Sequence, residues 1–331
     1  MKALKILIIR LSAIGDIVWT TPVIRGLKEQ VSGAEVHFCT KAQYHKIVEA
    51  NPYIDKIYYL KDEQNSLREL IHTLDQEKYD YVIDLHKNLR TTWIKFKLNR
   101  KSRSYHKLSL HRWLFINLKI NWMPPIHVAD RYLNTVKFLG VKPDGKGLDY
   151  FIAKDDRVSV MELPQSHQGG YVAFVIGASE YTKKLPHNKL VELCHKINQP
   201  LILVGGPEDQ EEGNRLVKYF ENHPQICIFN ACGKYNISQS ASLVAQARMV
   251  FGHDTGLTHI AAAFKKKVYI IFGSTSPLGF WPYETPYKVL ENNRIKCRPC
   301  SKSGRANCPR KHFKCLKEIH FDFEIPQFMP K

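Results

Sequence analysis

The feature that most constrains this chain is a recurring alternation of short apolar runs with helical patterns. Strand-like runs stand at 5–10 (KILIIR), 34–40 (AEVHFCT), 56–60 (KIYYL) and 79–86 (YDYVIDLH), with a weaker one near 103–108. Five more follow at 171–177 (YVAFVIG), 200–206 (PLILVGG), 225–231 (QICIFNA), 249–254 (MVFGHD) and 267–273 (KVYIIFG). Amphipathic helical spacing fills 64–75, 129–140, 187–198, 209–221, 237–247 and 256–264. Runs rich in Val, Ile and Leu, rather than alternating with polar residues, belong to strands buried on both faces. Strands of that kind joined by helices make parallel sheets, so the expected class is α/β with doubly wound sheets.

Two such series of similar length in 331 residues predict two domains, each large enough to bury a core. The boundaries read as 1–155 and 169–331, with the least patterned stretch, about 156–168, as linker. In open parallel sheets ligands bind beyond the carboxyl ends of the strands. The cleft between two such domains is therefore the expected active site.

The formal net charge of +18 points to anionic partners: nucleic acid, an acidic membrane surface or phosphorylated small molecules. Residues 85–129 hold ten Lys and Arg and no Asp or Glu, interleaved with Trp93, Phe96, Tyr105, Trp113, Phe115 and Trp122. Such a span suits anionic lipid headgroups or phosphorylated glycans, and nucleic acid equally well. No run is apolar for long enough to cross a bilayer. Arg10 and Asp16 interrupt the apolar N-terminus and no small-residue cleavage site follows, so it reads as the first buried strand of a cytoplasmic protein.

Chemistry concentrates where strands end. RLSAIGDIVWTTPVIRGL follows the first strand and places Asp16 at a strand-to-helix junction, as a general base or as an acid that the helix dipole favours. Pro22 implies a kink or a helix that starts later. GASEYTKKLP follows the sixth strand; its small residues leave amides open, and Lys183 and Lys184 can neutralise a phosphate or simply form a solvated loop. LVGGPEDQEEGN brings two glycines and a cluster of acids, whose carboxylates can accept hydrogen bonds from ribose hydroxyls. In FGHDTGLTHIAAAF, Asp254, Thr255 and Gly256 occupy the turn into a helix. A capping role accounts for Asp254 and Thr255 but not for Gly256 and His259, whereas a phosphate cradle uses the amides. A metal site would need His253, Asp254 and His259 to converge, although a strand end and a helix point the two imidazoles apart. In the tail, Cys297-x2-Cys300-x7-Cys308-x6-Cys315 is compatible with structural zinc or with reduced thiols. Cys39, Cys194, Cys227 and Cys232 read as core residues.

RLSAIGDIVWTTPVIRGLK, DTGLTHIAAAF and IFGSTSP, in this order and separation, resemble glycosyltransferase family 9, the ADP-heptose:lipopolysaccharide heptosyltransferases. The resemblance runs from the first strand to about residue 315, and the tail cysteines also look like those of some members. It implies a GT-B fold of two Rossmann-like domains, acceptor site in the first and donor site in the second. It further implies inverting, metal-independent transfer from an ADP-activated sugar to a phosphorylated lipid A and core oligosaccharide acceptor, at the inner face of the cytoplasmic membrane. Carried over by position, Asp16 is the general base and Lys183 steadies the donor diphosphate, with Lys184 beside it. The family's K-x-aromatic-P pattern has Leu185 at its third position here. Thr255, Gly256 and Leu257 hold phosphate, shaped by Asp254 and His259. Ser179 and Glu211 complete the donor side, and Ser12, Gly15, Lys87 and Arg90 the acceptor side. No cofactor is required beyond the substrates, and nucleic acid is not the expected partner. The alternatives are a nucleotide-sugar epimerase or hydrolase of the same fold, and a basic nucleic-acid-binding protein.

Overall fold

The computed structural model describes residues 4–223 and 225–325. The outer ends of the expected domains, 1–3 and 326–331, lie outside these residues. Two compact units form, Met1–Leu108 with Ile126–Ala153, and Ser109–Pro125 with Lys154–Lys331.

In the first unit β1 (Lys5–Ile9), β2 (Glu35–Lys41), β3 (Lys56–Leu60), β4 (Tyr81–Asp84) and β5 (Lys101–Ser104) form a sheet of order β3-β2-β1-β4-β5. Every pair is parallel, with Ile6 in register with Val36 on one side and Tyr81 on the other. After β1 the chain makes α1 (Ile14–Val18), breaks, and resumes as α2 (Thr21–Gln30) with Pro22 in its first turn. Pro22 lacks a backbone N–H and is accommodated where that donor would be unused. α3 (Ser66–Gln76) follows β3.

The basic span is more ordered than its composition suggests. It contains α4 (Leu89–Leu98), started by Asn88 and ended by Asn99 in the left-handed region at φ 46°. Asn88 Oδ1 accepts from the Thr91 amide at 2.9 Å while Thr91 Oγ1 accepts from the Asn88 amide at 3.0 Å. This reciprocal cap satisfies two donors that a helix start otherwise leaves open. The weak strand expected at 103–108 is β5, lying slightly earlier. α5 (Ser109–Trp113) belongs to the second unit, and α6 (Val128–Leu133) to the first.

The second unit holds α7 (Gln165–Gln168), β6 (Val172–Val175), α8 (His187–Ile197), β7 (Leu201–Val204), α9 (Gln210–Phe220) and β8 (Ile228–Asn230). α10 (Ile237–Gln246), β9 (Met249–His253), α11 (Gly256–Ala263), β10 (Lys267–Phe272) and β11 (Tyr287–Glu291) follow. The sheet order is β11-β10-β9-β6-β7-β8, again all parallel. β11 was not expected: YKVLE is short, only Leu290 of it is buried, and it lies at the sheet edge. The tail packs Leu316, Ile319, Phe321 and Phe323 into this unit's core, where Phe323 meets both Phe251 and Tyr269 at 5.1 Å between ring centroids.

Residues 156–168, expected as linker, are folded into the second unit. The Val158 amide donates to Ser242 Oγ at 3.0 Å, Gln246 Nε2 donates to the Val158 carbonyl at 2.9 Å, and His167 Nε2 meets the Leu201 carbonyl at 3.0 Å. No helix among the described residues is long and apolar enough to cross a membrane.

Candidate functional sites at the switch points

In each sheet the strand order reverses direction beside the unit's first strand, and the loops leaving the two strands there diverge. In the first unit these strands are β1 and β4; in the second, β6 and β9.

At the end of β1, Arg10 is buried and makes four contacts. Nε donates to the Ser12 carbonyl at 2.7 Å, and Nη1 donates to the Leu85 carbonyl at 2.5 Å and the Tyr132 hydroxyl at 2.8 Å. Nη2 lies 2.6 Å from Asp16 Oδ1. Burial opposes the guanidinium charge, but the Asp16 carboxylate together with the Tyr132 and Tyr105 hydroxyls outweighs it, and Arg10 remains cationic. Asp16, in the first turn of α1, keeps about a third of its side chain exposed, and Oδ2 has only a 3.4 Å approach from the Ala13 amide. One oxygen is fixed and the other is open, the arrangement that a proton acceptor needs. Ser12 and Gly15 lie on the same loop, partly exposed.

At the end of β4 the fully buried Asp84 accepts from the amides of His86 (3.0 Å) and Lys87 (2.7 Å) and from Thr91 Oγ1 (3.0 Å), and pairs with Lys95 at 3.0 Å. This ties the loop to α4 and holds Lys87 in the left-handed region at φ 54°. Lys87 and Arg90 are exposed. His86 escaped the sequence reading. Burial first, and then the Arg10 charge, pushes its imidazole down to about 4, so it is neutral near pH 7 beside the Arg10–Asp16 pair.

In the second unit Lys183 reaches the turn after β9. Its Nζ lies 2.9 Å from Asp254 Oδ2 and donates to the Asp254 carbonyl at 2.8 Å. Thr275 Oγ1 donates to the same Oδ2 at 2.9 Å, and His259 Nε2 stands 3.6 Å from Oδ1. Burial works against ionisation of Asp254, but Lys183 and His259 overcome it and hold the carboxyl well below the usual carboxylate range. Thr255 occupies the cap position of α11 without a side-chain capping bond. The capping role that competed with a phosphate cradle is therefore not filled by Thr255. Gly256 and Leu257 open the helix, so their amides lie at its positive end.

His253 is not available to a metal. It is fully buried, its Nδ1 meets the Ile176 carbonyl at 3.0 Å and its Nε2 accepts from the Leu185 amide at 2.9 Å. Burial pushes it down to about 4. It links the ends of β6 and β9, which is why Lys183 and the Asp254 turn converge.

The two adjacent lysines separate. Lys184 Nζ lies 2.5 Å from Asp209 Oδ1, and Asp209 Oδ2 accepts from the Gly206 amide at 3.0 Å. Asp209 lies in the acid cluster of LVGGPEDQEEGN and Thr275 in IFGSTSP, but neither stands out there, because their roles arise only where separate loops meet. Ser179 is exposed after β6, and Glu211 is exposed in the first turn of α9. Beyond Thr275 a cavity of about 310 Å³ opens, lined by Phe115, Asn121, Ser276, Pro277 and Arg298 among others.

Cysteine thiols with a nearby imidazole are donor types that zinc accepts. Burial, with the other three thiols nearby, raises the Cys315 thiol to about 11, and Cys297 Sγ lies 3.8 Å from His312 Nε2. Among the described residues, however, Glu35, His37 and Glu77 alone bring three donor atoms within 4.8 Å of one another. The tail sulfurs do not form a closed tetrahedral set. Glu77 is already engaged by Lys5 at 2.8 Å and Lys56 at 2.5 Å, so that group is an ion-pair network.

The model of glycosyltransferase family 9 (heptosyltransferase) matches residues 67–311. Lipopolysaccharide heptosyltransferase 1 of Campylobacter coli is 30% identical over 302 residues, 82% of this chain and 84% of that protein. Lipopolysaccharide heptosyltransferase 2 of Salmonella typhimurium is 24% identical over 296 residues, 83% and 84% of the two chains. Among solved structures, a family 9 glycosyl transferase from Veillonella parvula superposes with TM-score 0.72 at 21% identity, over 87% of this chain and 86% of its own. E. coli heptosyltransferase WaaC with ADP gives 0.66 at 20% identity, over 87% and 93%. A second WaaC structure, with ADP-2-deoxy-2-fluoro heptose, gives 0.67 at 19%, over 90% and 96%. The fold is of the GT-B type.

Proposed function

The chain belongs to glycosyltransferase family 9, the heptosyltransferase family, and from that premise we propose that it moves heptose from an ADP-activated donor to a lipopolysaccharide inner-core acceptor, with inversion at the anomeric carbon. The observation that carries this reading is the Lys183–Asp254 pair, which sets an ammonium beside the open amides of Gly256 and Leu257. The ADP and ADP-sugar complexes of WaaC, a protein of the same fold, support an ADP-linked donor.

In this mechanism Asp16 Oδ2 takes the proton of an acceptor hydroxyl. The hydroxyl oxygen forms a bond to the anomeric carbon as the bond from that carbon to the diphosphate oxygen breaks. ADP leaves with the electron pair, and the charge that develops on it is met by Lys183 and the amides of 255–257. A backside displacement accounts for inversion. Lysine and amides supply the positive field that many diphosphate sites take from a divalent ion. Lys87, Arg90, Ser12 and Gly15 are assigned to the acceptor, and Ser179, Glu211 and His259 to the donor side, whereas Lys184, expected there too, is taken up by the buried Asp209. The basic composition of 85–129 favours a peripheral position on the cytoplasmic face of an anionic membrane. A structural zinc ion on Cys297, Cys300, Cys308 and Cys315 belongs to the same proposal and requires the four sulfurs to draw together from where the structure places them. Metal analysis of the purified chain decides it, with near-stoichiometric zinc expected and zinc-free, fully stable protein counting against it.

The deciding experiment is Asp16→Ala. Transfer should vanish while binding of the ADP-sugar survives, and full activity in that variant would remove Asp16 from the mechanism. A nucleotide panel in thermal melts tests the donor: ADP should stabilise the protein more than UDP at equal concentration. Product formed without any acceptor would instead support an epimerase.

A further inference from the structure

Helix α4 has two apolar faces, and only one of them serves the core. Thr91, Ile94 and Leu98 are buried. Successive residues turn by about 100° along a helix, so these three share one side. Leu89, Trp93 and Phe96, at positions i, i+4 and i+7, share the opposite one. They are 90%, 46% and 69% exposed. Trp93 and Phe96 stack with ring centroids 5.7 Å apart, and Lys97 Nζ lies 4.8 Å from the Trp93 centroid. Arg90 and Lys97 are exposed along one flank of this stripe.

A continuous exposed stripe of Leu, Trp and Phe is unfavourable in water and contributes nothing to the core that α4 already completes. The charges on α4 itself are of one sign, Arg90, Lys95 and Lys97, and the sequence from 85 to 129 holds no acidic residue. That pattern complements an extended anionic surface. Trp with flanking Lys and Arg is also the composition that settles at the boundary between lipid headgroups and acyl chains. We propose that α4 is a membrane-docking helix that lies flat on an anionic bilayer. Leu89, Trp93 and Phe96 enter the acyl boundary, and Lys97 beside Trp93 meets lipid phosphates. The proposal extends the membrane placement above but rests on the helix's own geometry.

The test uses the full chain with phosphatidylcholine vesicles, with and without phosphatidylglycerol. Wild type should co-sediment with the anionic vesicles only, and its tryptophan emission should shift to the blue. Replacing Leu89, Trp93 and Phe96 together by Ser should weaken the partition by about tenfold or more, with an unchanged melting temperature and unchanged ADP binding. Trp93→Phe should keep the partition but lose most of the blue shift, so the proposal stays testable if the triple variant misfolds. Undiminished sedimentation of the folded triple variant, or an undiminished blue shift in Trp93→Phe, would overturn it. A protein that binds vesicles through α4 yet transfers no heptose to a deacylated acceptor would refute the assigned reaction and leave the docking helix standing.

Discussion

Arg10 holds Asp16 by a single oxygen: Nη2 lies 2.6 Å from Oδ1, and Oδ2 is left to solvent and a 3.4 Å amide. The guanidinium is itself anchored by the Leu85 carbonyl and the Tyr132 hydroxyl. The carboxylate is thereby aimed from the buried floor of the sheet. In Arg10→Met the turnover number should fall by about 10- to 100-fold, through lost orientation rather than lost binding. The KM for donor should stay within about twofold. Steady-state kinetics with a thermal melt check this, and unchanged turnover in a folded variant would count against Arg10 as a positioning residue.

The neighbouring lysines should part in function as they do in space. Lys183→Ala is expected to weaken ADP binding by roughly 10- to 100-fold, the equivalent of one charge-assisted hydrogen bond. Lys184→Ala should change it by less than about threefold. Instead it should destabilise the fold by about 1–3 kcal/mol, because Asp209 is buried and would lose its cation. Calorimetric titration and urea denaturation of both variants separate these effects.

The buried His253 gives a pH signature. Its imidazole is depressed from 6.5 to about 4, so it folds in the neutral form. A depressed base contributes stability that is fully present above 6.5 and is lost as pH falls toward 4, because the unfolded chain binds the proton first. The contribution is on the order of 3 kcal/mol. Urea denaturation at intervals between pH 7 and pH 4 should show this loss, and His253→Gln should flatten the slope in that window.

Gly252 is required by space rather than by backbone conformation. A Cβ there would lie 2.5 Å from Thr258 Oγ1 and 2.9 Å from Val175 Cβ. Gly252→Ala should therefore separate β9 from α11 or β6 and cost about 1–3 kcal/mol. Donor affinity should fall with it, because the same packing sets the Asp254 turn. A variant as stable as wild type in urea would show that the strand has slack.

Much of this architecture is legible in the sequence. Buried parallel strands carry a strong, local apolar signal, and the residues at their carboxyl ends, Asp16, Lys183 and Asp254 to Leu257, follow from topology. What escaped depends on contacts between distant segments. Arg10 reads as an interruption in a strand until Leu85, Tyr132 and Asp16 surround it. The role of His253 requires Ile176 and Leu185, and Lys184 acquires a partner only when β7 sets Asp209 beside it. Helix α4 was hidden for a different reason: apolar residues on opposite sides cancel the one-faced periodicity by which a helix is found. β11 was missed because a short edge strand with one buried residue carries little apolar signal.

The excursion of 109–125 out of one unit and into the other bears on any attempt to dissect this enzyme. The backbone passes from unit to unit three times, at 108–109, 125–126 and 153–154. A fragment ending at 153 would carry away Phe115 and Asn121 from the cavity wall. It would also remove Lys119, whose ammonium donates to the Cys297 and Pro299 carbonyls at 2.9 and 2.6 Å. Chimeras that trade the amino-terminal half between relatives would transplant a piece of the recipient's own second unit along with it. A clean exchange must treat 109–125 as a separate cassette.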